Sequence, residues 1–294
     1  MTRTSLLIGV LFSLIPAHGL LAQFSGSFNG QPGIDLSGAW SPAPHEESTG
    51  NPAIADYLGV PINEAARAVG LAWSPSRVTV PEHQCQVHVA PYLLGGPLNL
   101  RIWEERDNQS QKLQDVRMYI STYEQNRTIW MDDRPHPPEA AAHTWMGFST
   151  GKWEGDTLAI TTTHLKEGWI RRNGLPRSDR AVVTEHFIRH GDNLTTMTVI
   201  RDPAYLTEPF IRTRDYLYEI GGQIAPYPCE SVEEVIRAKG VIPHHLPGTN
   251  KFLDEFPAAH GIPPEAARGG AETMYPEYQN KIRGAAPAKK ADAK

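Results

Sequence analysis

The chain has 294 residues and a net charge of −5, with 28 lysines and arginines against 33 aspartates and glutamates. No basic stripe interrupts that mild acidity, which argues against a nucleic-acid partner. The two cysteines lack the spacing of a zinc finger, and beyond the first 22 residues no segment is apolar enough to span a bilayer.

The first residues carry one cation, Arg3, then an apolar run, then small residues at Ala17, Gly19 and Ala22. That layout predicts a signal peptide over 1–22 and an exported chain, periplasmic or secreted, with no stable membrane insertion after cleavage. A membrane anchor is the alternative, but the run is short, and Pro16 and His18 interrupt its end. In an oxidising compartment Cys85 and Cys229 are candidates for a disulfide, with two buried thiols as the alternative.

Residues 23–97 are rich in Gly, Pro and Ser, with a strand signal over 34–40 and a helical pattern over 63–70 that stops at Gly70. Regular alternation follows. Leu98, Leu100 and Ile102 share one face, as do Val116, Met118 and Ile120. A turn at 124–127 and a returning arm at 128–131 predict a hairpin. Further strands are expected over 157–164, 181–189, 194–201 and 211–220, with a compact loop at 190–193. This pattern predicts a mainly β domain over 23–230: an antiparallel barrel or a barrel-like sandwich with short helices. After Cys229 the pattern predicts a helix over 230–239 stopped by Gly240. A Pro- and Gly-rich segment follows, wrapping the barrel through Phe252, Phe256, Tyr275 and Tyr278. Residues 231–283 form this C-terminal part, and 284–294 a disordered tail.

Aromatic and charged residues concentrate over 143–180. In the strand after it, Glu185 shares a face with Val183 and Phe187. If that face is inward, Glu185 is a buried carboxylate that needs a cation or a proton. In the opposite phase, with Val182, His186 and Ile188 inward, it is a surface residue. His164 shares a face with Leu158, Ile160 and Thr162 and could reach the interior. His143 and His164 could join a carboxylate in a site, yet no paired-histidine spacing signals a metal, and no cofactor is expected. Arg171 and Arg172 open a loop that also holds Arg177 and Arg180, suited to a ligand carboxylate, sulfate or phosphate. Internal pairing with Asp179 and Glu167 is the plain alternative. Trp145 and Trp169 could stack on a ligand, whereas Trp153 reads as core. No nucleophile elbow, phosphate-binding loop or His-Glu-x-x-His helix is present.

The block Gly151-Lys-Trp-Glu-Gly-Asp-Thr-Leu158, with Ile129-Trp-Met-Asp-Asp133 and Asp202-Pro-Ala-Tyr-Leu-Thr-Glu-Pro209, resembles a group of exported bacterial proteins of uncharacterised function. The resemblance covers roughly 35–229 and implies no particular reaction. Glu185-His186 stands where that group usually has Glu-Arg. Leu36-Ser-Gly-Ala-Trp40 is similar, more weakly, to the first strand of lipocalin-like barrels, which would imply a ligand cup.

Two functions follow as expectations. One is binding of an amphipathic, anionic small molecule at a mouth lined by His143, Trp145, His164, Trp169, Arg171 and Arg172. The other is acid/base catalysis by a lyase, isomerase or hydrolase. There Glu185 or His143 would act as base, His164 would lie nearby, and an arginine such as Arg171 would stabilise negative charge.

Overall fold

The computed structural model describes residues 34–43, 52–79, 83, 85–86, 99–121, 125–226, 229–230, 232 and 235–285. The expected signal peptide lies outside them, as does the expected tail from 286 on, whereas Gly284 and Ala285, expected to be disordered, end a helix. The strands are β1 (Gly38–Pro42), β2 (Leu100–Arg106), β3 (Leu113–Ile120), β4 (Gln125–Trp130), β5 (Phe148–Glu154), β6 (Thr157–Thr163), β7 (Gly168–Arg171), β8 (Leu175–Arg177), β9 (Val182–His190), β10 (Asn193–Arg201) and β11 (Phe210–Tyr218). Nine of them close a barrel in the order β1, β11, β10, β9, β6, β5, β4, β3, β2, while β7 and β8 form a separate hairpin. Period-two alternation sets which side chains enter: Leu158, Ile160 and Thr162 from β6, and Val183, Glu185 and Phe187 from β9, are all buried.

Eight of the strand junctions are antiparallel, as the alternating pattern predicts. The ninth is not. β4 and β5 run parallel and pair only at Ile129 with Ser149 and Trp130 with Thr150. Parallel neighbours cannot be joined by a tight hairpin, so residues 131–147 must cross over before β5 begins. The β3–β4 hairpin is also longer than expected: β4 starts at Gln125, inside the stretch read as a turn.

Two apolar clusters bracket the barrel. One fills its interior around Trp40, Ile102, Met118, Ile160, Phe187 and Tyr216, and Trp153 packs against it. The other joins Val183 and Ile200 to Tyr57, Ile62, Ile170 and Leu175, so that the 52–79 segment and the β7–β8 hairpin plug one end. Within that plug α1 (Glu64–Leu71) begins at Asn63, whose side chain accepts from the Ala66 amide at 3.0 Å.

The expected helix over 230–239 is absent from the described residues there. Val232 and Ile236 are exposed, Ile236 almost fully, so the amphipathic pattern finds no core to bury its apolar face. Helices occur instead in the segment read as a wrapping loop: α2 (Glu255–His260), α3 (Pro264–Ala267) and α4 (Pro276–Ala285). Cys85 and Cys229 form a disulfide across 144 residues, with Cα atoms 5.5 Å apart.

Candidate functional site

Inside the barrel, β9 carries Glu185 with no exposed surface, and β4 carries Arg127, which is equally buried. The guanidinium grips both carboxylate oxygens, through Nη1 to Oε1 (3.2 Å) and through Nη2 to Oε2. Its Nε also donates to Ser149 Oγ at 3.2 Å, and Nη2 to Thr162 Oγ1 at 2.7 Å. A carboxylate so held is committed to its partner. The inward phase for Glu185 is therefore the real one, and its partner is a residue that the sequence reading had assigned to a turn. The alternation Gln125, Arg127, Ile129 carried the signal for that partner.

The histidines gather outside the barrel. His164 has left the strand, with φ of 56°, and does not enter the interior. Its ring lies 5.2 Å from that of His143. His143 Nδ1 donates to the Leu165 carbonyl at 3.0 Å, which fixes the tautomer and presents Nε2 as a base. His136, unremarked in the sequence because it sits among prolines, completes the group. It bridges Thr163 Oγ1 (2.7 Å) and Thr150 Oγ1 (2.9 Å). Trp145 joins from the same segment, with Lys166 Nζ 4.9 Å from its ring centroid. Among the described residues no group of three or more His, Cys, Asp or Glu is placed to hold a metal ion.

A third arrangement lies at the plug. Trp169 on β7 is buried edge-to-face against Trp73, with centroids 4.8 Å apart. Arg77 lies over both indoles, 5.0 Å from the Trp169 centroid and 5.8 Å from that of Trp73. Its Nε donates to His83 Nε2 at 3.2 Å, and no described residue accepts from its two terminal nitrogens. Burial pushes the Arg77 pKa down; Glu167 opposes that shift and Arg237 adds to it. Burial, then Arg77, pushes the His83 imidazole down. The segment carrying Arg237 returns past the same place, where the His245 amide donates to Ala72 O. Ile236, Val241, Ile242 and Leu246 in that segment are exposed.

The expected mouth is thus divided. His143, Trp145 and His164 stand together on the outer wall, Trp169 belongs to the plug, and Glu185 is sealed inside. Arg171 and Arg172 are half-buried in the β7–β8 hairpin, whose turn is Arg172-Asn173-Gly174, and the charge of Arg171 acts on Asp56. Arg177, on the same hairpin, is fully buried and donates to the carbonyls of Lys166 (2.7 Å) and Ser178 (2.8 Å), with burial bringing its pKa down to about 10. Trp73, Arg77 and His83 carried no sequence signal, because single residues in an irregular, Pro- and Ser-rich stretch have no periodicity to betray them. Compared with family models, curated proteins and solved structures, the chain matches none.

Proposed function

We propose that this is an exported barrel protein that binds a small amphipathic anion at the plug. The observation that carries the reading is Arg77: a partly desolvated guanidinium, stiffened over two indoles, whose fork is uncommitted among the described residues. A carboxylate, sulfate or phosphate group fits such a fork. The exposed aliphatic run through Ile236, Val241, Ile242 and Leu246 supplies apolar surface for the rest of the ligand. The disulfide supports an oxidising location.

Calorimetric titration with dodecanoate, below its micellar concentration, tests the idea. One dodecanoate should bind per chain, and Arg77→Gln should weaken it by about ten- to a hundredfold, the worth of a charge-assisted hydrogen bond. Equal binding of the non-ionic dodecyl maltoside, or an unchanged affinity in the variant, would sink the proposal.

A second reading rests on His143, whose fixed tautomer and neighbouring Lys166 and His164 suit proton abstraction with cationic help. The tight hold of Arg127 on Glu185 makes His143 the better base of the two. Were a substrate found, His143→Gln should abolish its turnover and leave dodecanoate affinity unchanged.

A further inference from the structure

The bond that seats Arg77 constrains the proton of its neighbour. Arg77 lies on the 3-10 turn Pro75–Thr79, and its Nε donates to His83 Nε2 at 3.2 Å. A guanidinium carries donors and no acceptor, so the imidazole must offer it a bare nitrogen. Moving the ring's proton to its other nitrogen, or turning the ring over, leaves that requirement in place. An imidazolium has no bare nitrogen. His83 therefore cannot take a proton and keep Arg77 as its donor.

The surroundings favour the neutral ring. Arg77 sets one positive charge against it, and Arg237, on the returning segment, adds a second whose field reaches Arg77. Glu167, which precedes β7, acts on Arg77 with the opposite sign. Trp73 and Trp169 wall the guanidinium with neutral rings, and Gln86, on the stretch that carries His83, is buried and uncharged. Burial, then the Arg77 charge, pushes the His83 pKa down, and Gln86 opposes the shift. An anion in the Arg77 fork changes this balance. It offsets the field that opposes protonation and offers a ring N–H an acceptor of opposite charge.

Resting on the reading of Arg77 as an anion receptor, we infer that the plug takes up its anion together with a proton, with His83 as the second group that binds it. As the anion enters the fork, His83 gives up the Arg77 Nε hydrogen, gains a proton from solvent and turns an N–H to the anion. The released Nε then joins a terminal nitrogen of Arg77 in a side-on grip of the same group. Linkage is reciprocal: by whatever factor the anion tightens proton binding, the proton tightens anion binding. Affinity therefore rises as pH falls. A His83 that only positions Arg77 would give the opposite slope, since its protonation breaks the bond between them. An arginine acting alone would give none.

Calorimetric titration of the full chain with decanesulfonate, which stays ionised throughout, reads the coupling. Repeating it at pH 6.0 in two buffers of unlike ionisation enthalpy counts the protons taken up. Uptake should be a substantial fraction of one proton per anion, and affinity about five- to tenfold tighter at pH 6.0 than at pH 8.0. His83→Gln keeps an acceptor for Arg77 Nε but does not titrate. It should take up no proton and bind with one affinity at both pH values. Binding without proton uptake, affinity that falls on acidification, or an undiminished pH dependence in His83→Gln would overturn the inference and leave the anion reading of Arg77 standing. Absence of binding at both pH values would remove the two together. Should His83→Gln fail to fold, ring-proton NMR of the wild type decides: the His83 pKa must rise when decanesulfonate is added, and an unmoved value overturns the coupling.

Discussion

At the scale of single residues, the barrel interior depends on the Arg127–Glu185 pair. Removing one partner strands the other charge in a medium that cannot hydrate it, a loss of about 3–5 kcal/mol. Glu185→Ala should therefore lower the unfolding free energy by that amount, read as a fall in the urea midpoint. Replacing both residues with apolar ones of similar volume should recover much of it. A catalytic Glu185 would behave differently, losing turnover and leaving the midpoint in place. The depressed imidazoles act through the unfolded chain. His136 and His83 hold protons less tightly when folded than the ordinary histidine value of about 6.5. Protonation then favours the unfolded state, so stability is full above that value and declines as pH falls below it. Urea midpoints from pH 8 to 5 should follow that course. A midpoint rising towards pH 5 would contradict the assigned direction.

At the scale of elements, the parallel seam is the feature that departs from simple alternation. Gly151 on β5 packs so closely there that an added Cβ would lie 2.5 Å from Met131 Sδ and 2.8 Å from Ile129 Cγ2. Gly151→Val should destabilise the fold by about 1–3 kcal/mol through overpacking, measured by chemical denaturation, whereas substitution at the open turn of Gly155 should meet no such clash. Strands β6, β9, β10 and β11 were legible because their β-branched residues alternate over a full strand length, and the 63–70 pattern marked α1, although the helix runs past Gly70 to Leu71. Legibility failed where structure is set from a distance. Nothing local makes β4 and β5 parallel, and the 230–239 pattern lacks a partner surface. His136 and Arg77 acquire partners only through the crossover and the plug. The Gly-x-Trp-Glu-Gly-Asp-Thr block turns out to be the β5–β6 hairpin, its Gly155 at φ of 61°. Its first role is therefore to turn a chain.

At the scale of the whole molecule, the disulfide ties the 75–86 stretch, with Arg77 and His83, to the segment that holds Arg237. Constraining so long a loop stabilises the native state by about 2–4 kcal/mol in the usual case. Reduction, or a double Cys→Ser change at 85 and 229, should lower the thermal midpoint and also weaken dodecanoate binding, since one arm of the proposed site would be untethered. Thermal melts with and without reductant separate the first effect, and titration of the reduced protein the second. The barrel's closure has a consequence in time. β1 bonds to β2 on one side and to β11 on the other, Trp40 meeting both Leu100 and Tyr218. The ring cannot shut until β11, which ends at Tyr218 of 294 residues, has left the ribosome, so a growing chain stays open and threadable until then. Under the export proposed above, late closure would keep the chain threadable until it has been translocated.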